Sequence, residues 1–501
     1  MVAICVDAGT SVVKAVAFDD NGNEMAIARQ MVPILRAQPG WSEQDMQAVW
    51  QAVVLTIREV AATVTGEIRF LSVTAQGDGC WLIDEAGNPT GPALLWNDGR
   101  AAAIVEAWQQ NGVLEQAFAI NGTAAFPGGQ GALLHWLYEN ERARLERSQT
   151  AFYCKDWIIL NLTGVAASDE SDASFPFFDI RKRQYAPELL KLYGIEWAQH
   201  LLPQIHLDTT PVGGLRPAVA QDLGLPVGIP VVAAPYDIAA TAIGLGAVRA
   251  GQAVSILGTT LCNEVVIDHV DTSGSANGLL ICSGVPGSWL RGFATMCGTE
   301  ALGWLGEFIG DLQPAHITEM AATVEPGAGG VVFLPYLSPA GERAPFLNPY
   351  ARASIFGLSL EQSRPHVARA VLEGLSFVIR ECLETAQVQP TELHVCGGGA
   401  GSTFWCQLLA DITRVPVCTS TANEVGAKGA FFVGLAATGA EASIESAASK
   451  YVKMRRLYEP NRPLTGRYEE LYHHFLDVRD VASQLWLRQA NVRQHGSTLQ
   501  S

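Results

Sequence analysis

A strand–turn–strand unit occurs twice in this chain, about half its length apart. Near the N-terminus the apolar runs Val2–Val6 and Val12–Phe18 flank Asp7-Ala8-Gly9-Thr10-Ser11. In the second half, apolar runs flank Leu257-Gly258-Thr259-Thr260. A glycine lets backbone amides approach an anion closely, and neighbouring hydroxyls add donors without charge. One such turn is as readily an ordinary hairpin. Two in matching halves point to a duplicated fold with two phosphate-binding turns that would clamp a nucleotide tail in a cleft between them. A chain of 501 residues is too long for one core, which leaves room for that duplication.

The rest of the composition narrows the function. Hydrophobic residues at 48% and charged residues at 17% describe a globular chain with ample core. A net charge of −17 argues against nucleic acid or an anionic membrane surface as partner. A phosphorylated ligand stays open, because backbone amides and a metal ion hold phosphate locally. The ten cysteines form no CxxC pair and several lie in apolar runs, so reduced buried thiols are expected rather than zinc ligands or disulfides. With neither a leader-like start nor a bilayer-length apolar run, a cytoplasmic protein is expected.

Along the chain, Asn21-Gly22 marks a tight hairpin before a third strand, Glu24–Val32. Helical spacing runs from Ser42 to Ala62, with Ser42 and Gln44-Asp45 as its start. The strand Leu71–Thr74 enters a polar, glycine-broken loop, Ala75–Gly79. Strands first and helices afterwards suggest a mixed sheet covered by helices. Ser171–Ser174 reads as a polar loop. In the second half, a helix fits Leu360–Ala386, a strand Leu393–Cys396, and a helix Thr403–Thr413 directly after Gly397-Gly398-Gly399-Ala400-Gly401-Ser402.

Several residues are candidates for chemistry. Asp237 opens an Ala-rich helical run, where it can cap the helix, act as a general base, or do both. The helix N-terminus is expected to keep it ionised. Asp7 orients a Mg²⁺-bound water or caps its own turn. Gln76, Asp78, Trp96 and Arg100 form a possible set for a hydroxyl-rich ligand, although Gln76 and Asp78 also read as solvated loop residues. The glycine run Gly397–Ser402 has the strand-to-helix context of a nucleotide site, and equally that of a tight connection. It matches neither the dinucleotide fingerprint nor a Walker loop. The histidines show no metal-ligand spacing, and His473-His474 reads as surface.

Over roughly residues 2–480 the chain resembles the FGGY family of carbohydrate kinases. The resemblance rests on Gly397–Ser402 with Trp405, Gln407, Ala410-Asp411, Glu424 and Gly426–Ala430, and on Asp7–Ser11 with Lys14. It also rests on Trp96–Arg100, Ser171–Ser174 and Gly341–Leu358. It implies an α/β fold of two actin-like, ribonuclease H-like domains, as in the hexokinase/actin/Hsp70 ATPases, with an interdomain cleft for ATP, Mg²⁺ and sugar. The implied domains are 1–245 (sugar and first phosphate hairpin), 246–480 (ATP) and a tail, 481–501. Asp237 corresponds to the family's base. Thr10, Ser11 and Lys14 correspond to the first phosphate hairpin, and Gly258, Thr259 and Thr260 to the second. Gly303, Gly398 and Ser402 fall at positions that hold the nucleotide, and Asp7 at the one that positions Mg²⁺ through water. Gln76, Gly77, Asp78 and Trp96 fall in the acceptor site.

Gly77 stands where glycerol kinases carry arginine, and Ile238 where they carry glutamine, which disfavours glycerol. The Ala75–Gly79 loop and Pro235–Ile238 are most similar to the branch with erythritol and L-xylulose kinases. The implied activity is ATP-dependent phosphorylation of a primary hydroxyl on a small polyol or ketose of erythritol, L-xylulose or D-xylulose type, in a possible homodimer. Glycerol or ribulose phosphorylation, a nucleotide switch and a sugar-sensing pseudo-kinase are the alternatives.

Overall fold

The computed structural model of the protein describes residues 2–207, 210–310 and 312–497. The chain divides into two compact units that do not follow one another as consecutive halves. Met1–Arg249, Val266–Leu290 and Ala422–Val452 form the first; Ala250–Val265, Arg291–Thr421 and Lys453–Ser501 form the second.

The main sheet of the first unit runs Gly213–Gly214, Pro230–Ala233, Ile68–Ala75, Val2–Ala8, Val12–Phe18, Glu24–Met31. Val2–Ala8, Val12–Phe18 and Glu24–Met31 pair antiparallel, whereas Val2–Ala8, Ile68–Ala75 and Pro230–Ala233 pair parallel. The Asn21-Gly22 hairpin forms as expected, with Gly22 at φ 68° and its amide on the Asp19 carbonyl at 2.9 Å. Ile4, Cys5 and Val6 are all buried, so both faces of the first strand are covered. Helix Met46–Thr63 covers one face with Val49, Val53, Ile57 and Val60, spaced three and four apart.

That helix begins later than its pattern suggested. Ser42 donates its amide to Asp98 at 2.7 Å, and Glu43–Gln44 pair with Ala93–Leu94 as a short strand. Asp45 is the cap, accepting the Gln47 amide at 2.9 Å. The opposite sheet face is covered by helix Val425–Ala437, which returns from far along the chain. Its Phe431 stacks on Phe18 at 4.8 Å and lies 6.3 Å from Phe70.

The second unit repeats the strand order. Six strands of its seven-stranded sheet run Trp289–Ala294, Leu261–Ile267, Gln252–Leu257, Glu392–Cys396, Val417–Ser420, Met454–Tyr458. Gln252–Leu257 pairs antiparallel with Leu261–Ile267 and parallel with Glu392–Cys396, as the first strand of the chain does with its own neighbours. Helices Arg364–Thr385 and Thr403–Thr413 fall where the sequence placed them. The last helix, Thr465–Ser497, contains the first part of the expected tail, and residues 498–501 lie outside the described residues. All ten cysteines are free, and all but Cys262 and Cys396 are buried. Among the described residues no helix is long and apolar enough to cross a membrane.

Candidate active site

In the first unit, parallel pairing brings the ends of Val2–Ala8, Ile68–Ala75 and Pro230–Ala233 together. Asp7 leaves the first, Gln76 and Asp78 follow the second, and Asp237 follows the third. The Pro235–Tyr236 corner is fixed from two sides. Thr74 Oγ1 donates to the Pro235 carbonyl at 2.7 Å, and the Tyr236 amide donates to Ser171 Oγ at 3.0 Å. Asp237 is the first residue of helix Asp237–Leu245, not its cap, and its Oδ1 accepts the Ile238 amide at 2.8 Å.

The surroundings of Asp237 work against the ionisation expected from its place at a helix N-terminus. Burial pushes its carboxyl up to about 8, Asp7, Asp172 and Asp78 add to the rise, and the Ile238 amide offsets it only in part. A single helix N-terminus does not outweigh lost water and three neighbouring carboxylates. Burial likewise raises Asp7, against the pull of Lys14 and with the push of Glu424.

Asp7 and Lys14 are register partners across the first hairpin, with Lys14 Nζ 3.9 Å from Asp7 Oδ2. Lys14 also binds Glu424 at 2.8 Å, and Glu424 binds Arg29 as well. Burial works against the Lys14 charge, but Asp7 and Glu424 hold its pKa above the usual value. Glu424 therefore orients a lysine of the first hairpin, a role its place in a distant glycine-rich motif did not reveal. Next to it, a methyl group at Gly426 would come within 2.9 Å of Asp7 Oδ2, so glycine leaves that carboxylate its space.

The turn itself is held by the candidate acceptor residues. Trp96 Nε1 donates to Thr10 Oγ1 at 3.0 Å, and Gln44 Nε2 donates to the Thr10 carbonyl at 2.7 Å. Gln44 Oε1 in turn accepts Gln76 Nε2 at 2.9 Å. The Gln76 side-chain oxygen is left buried without a partner, which is costly unless a ligand donates to it. Ser11 is exposed on the turn. Asp78 is half-buried at φ 56°, a conformation that Asp tolerates better than most residues.

Gln44 is thus a tie between the phosphate turn and the acceptor amide. Replacing it with leucine is expected to cost about 1–2 kcal/mol of organisation, read as a roughly tenfold fall in kcat/KM with the melting temperature nearly kept. Steady-state kinetics beside a thermal melt checks this. Arg100, grouped with these residues from sequence, does not join them. Its side chain has no exposed surface, pairs with Asp98 at 2.9 Å and Glu43 at 2.6 Å, and lies 3.8 Å over the Trp41 ring.

Ser171–Ser174 is not a loop; Glu170–Ala173 is a short helix capped by Asp169. Ser171 Oγ donates to Asp169 while accepting the Tyr236 amide. Behind it the fully buried Lys155 lies 2.7 Å from both Asp169 and Asp172. Burial opposes the Lys155 charge, yet Asp169, Asp172 and Asp156 hold its pKa above the usual range. Sequence reasoning passed over Lys155. The available signal was a lysine inside an apolar helix, Cys154–Thr163.

In the second unit, the Gly258-Thr259-Thr260 turn is capped by backbone. The Thr299 amide and hydroxyl both donate to the Gly258 carbonyl at 2.8 Å. A methyl group at Gly298 would lie 2.6–2.8 Å from backbone atoms of Gly258, Thr259 and Thr260. Gly397, at φ 86°, packs on the Leu257 carbonyl just before that turn. Gly398 and Gly303 face open space. Ser402 caps helix Thr403–Thr413, accepting the Trp405 amide at 3.2 Å. A short glycine turn leading into a helix N-terminus offers backbone donors to an anion.

Among the described residues no group of three or more His, Cys, Asp or Glu could hold a metal by itself. The lone Asp7 carboxylate fits Mg²⁺, which keeps most of its shell as water and phosphate oxygens.

Residues 2–244 match the N-terminal domain, and residues 253–438 the C-terminal domain, of the FGGY family of carbohydrate kinases. The chain is similar to erythritol kinase of Brucella abortus, 31% identical over 97% of each chain. It is 30% identical to xylulose kinase of Escherichia coli over 84% of this chain and 87% of the other. Among solved structures, a xylulose kinase from Brucella ovis superposes with a TM-score of 0.89 at 28% identity, over 97% of this chain and 100% of the other. These structures share the actin-like ATPase fold.

Proposed function

Because the chain belongs to the FGGY family of carbohydrate kinases, and so is a phosphotransferase, we propose that it phosphorylates a primary hydroxyl of a small neutral polyol or ketose, of erythritol, L-xylulose or D-xylulose type, with Asp237 as general base. The observation that carries this reading is the surroundings of Asp237. The buried carboxyl is influenced by Asp7, Asp78 and Asp172, and Gln76, just past the end of the neighbouring strand, has an unpartnered amide oxygen. Such a lining accepts hydrogen bonds from hydroxyls and repels a carboxylate, so sugar acids are poor acceptors here.

In the proposed reaction Gln76 and Asp78 hold acceptor hydroxyls, Trp96 forms a wall, and Gly77 contributes backbone. Asp237 Oδ takes the proton of the attacking hydroxyl. ATP, when bound, would donate its γ-phosphoryl group with ADP as the leaving group, and Mg²⁺ would offset the charge that spreads over the transferring oxygens. Asp7 would hold the ion through water, and Thr10, Ser11 and Lys14 present donors to phosphate. Gly258, Thr259 and Thr260 are the second phosphate turn, and Gly303, Gly398 and Ser402 hold the nucleotide.

Acceptor-dependent ADP release tests the reading. Erythritol, D- and L-xylulose, ribulose, glycerol and gluconate are compared at equal concentration. The neutral four- and five-carbon compounds are expected to stimulate release, with gluconate at least about tenfold weaker in kcat/KM, a like-charge penalty of about 1.4 kcal/mol or more. Stimulation by none of them, in a folded protein that binds ATP, favours a nucleotide switch instead.

A further inference from the structure

Gly77 lies between Gln76 and Asp78, the two side chains assigned to acceptor hydroxyls, and it is buried. A methyl group built on it would lie 2.4 Å from Cδ2, 2.7 Å from Cε2 and 2.8 Å from Cγ of Tyr236. The aromatic ring therefore occupies the volume into which any side chain at position 77 would project. It has little freedom to withdraw. Tyr236 is 6% exposed, its amide is held by Ser171 Oγ at 3.0 Å, and its carbonyl accepts the Ala240 amide at 3.0 Å. The next residue is Asp237.

We propose that Tyr236 is a specificity-determining residue: its ring, standing in for a side chain at position 77, limits the length of acceptor that reaches Asp237. This rests on the reading of Gln76 and Asp78 as acceptor ligands. With glycine at 77, recognition along this strip falls to the Gln76 amide, the Asp78 carboxylate and the ring. The ring is a two-torsion body on a backbone held by two hydrogen bonds, and its burial at 6% exposure confines its surface as a wall. Moving that wall by a few carbon atoms changes which chain length is accommodated, and a mismatch of one methylene is worth about 10- to 200-fold in discrimination.

The test measures kcat/KM of wild type, Tyr236→Phe, Tyr236→Leu, Gly77→Ala and the double variant Gly77→Ala with Tyr236→Leu. Acceptors are four- and five-carbon polyols and ketoses against their six- and seven-carbon homologues. Tyr236→Leu is expected to move the long-to-short ratio upward by at least about tenfold, and Tyr236→Phe to keep it within about twofold. Gly77→Ala, which drives the ring from its seat, is expected to lower kcat/KM for short acceptors by at least about tenfold, and the double variant to regain most of that loss. The Gly77→Ala arm leaves residue 236 unsubstituted should the leucine variant fail to fold. An unchanged ratio in Tyr236→Leu, or a silent Gly77→Ala, overturns the proposal while wild-type activity stands. A wild type that phosphorylates none of these acceptors overturns the kinase reading itself, and this proposal with it.

Discussion

Asp237→Asn is expected to lower turnover by roughly 100- to 10,000-fold while leaving the protein folded, the range typical for loss of a positioned general base. Asparagine keeps the shape and the oxygen that accepts the Ile238 amide, but it cannot take a proton. The same substitution is expected to raise thermal stability at alkaline pH, which separates it from a folding defect. The Asp237 carboxyl is pushed up to about 8, from an ordinary value of 3.8, by burial and by Asp7, Asp172 and Asp78. Between those two values the folded state binds a proton that the unfolded state has released. The contribution of this group to stability is therefore fully present below about pH 4. It falls as pH rises, by at most about 1.4 kcal/mol per unit, and levels off above about 8. The melting temperature of the variant relative to wild type should climb between pH 5 and 8. In the free enzyme the base must be ionised, so wild-type kcat/KM should rise with pH over the same range. A variant with near-full turnover removes Asp237 from the mechanism.

The second large effect is structural and lies directly behind the base. Helices Asp237–Leu245 and Val425–Ala437 approach so closely that a methyl group at Gly429 would sit 1.8 Å from the Ala240 carbonyl oxygen. One at Gly244 would sit 2.0 Å from the Val425 carbonyl oxygen. Backbone on both sides leaves no side chain to swing away. Gly429→Ala is expected to cost about 3 kcal/mol or more, the upper end of overpacking penalties, because the helices must separate. Since the Asp237 helix is one of the pair, turnover should fall with stability. Gly398→Ala is the contrast, because a methyl group there meets nothing within 4 Å. It should change stability by less than about 0.5 kcal/mol and raise KM for ATP instead. Denaturant titration of both variants, with ATP kinetics for the second, distinguishes a packing glycine from a ligand-facing one.

The two glycines show where the sequence was legible and where it was not. Strand hairpins, the Asn21-Gly22 turn and helix Thr403–Thr413 follow from local periodicity and turn chemistry, and they lie where the pattern put them. The duplicated strand order followed from the spacing of the two glycine–threonine turns. Glu424 and Gly426–Ala430 stood out as a motif, but nothing local shows that this segment returns to the first sheet, where Phe431 stacks on Phe18 and Glu424 binds Lys14. Long-range partners also decide ionisation. Asp237 opens its helix, as the pattern placed it, yet burial, with three carboxylates distant in sequence adding to it, reverses its expected charge. Ser42 looked like a helix start because its partner, Asp98, lies far along the chain. Tyr236 stands out only as part of the Pro235–Ile238 segment, and nothing local shows that its ring fills the space beside Gly77.

The most direct test is the fate of the γ-phosphoryl group. Phosphorus-31 NMR can follow the protein with ATP, Mg²⁺ and either erythritol or a xylulose. A phosphomonoester resonance coupled to a CH₂ group, growing in step with ADP and absent in Asp237→Asn, is the predicted result. ADP accompanied only by inorganic phosphate, at a rate indifferent to the acceptor, would contradict phosphoryl transfer to a primary hydroxyl.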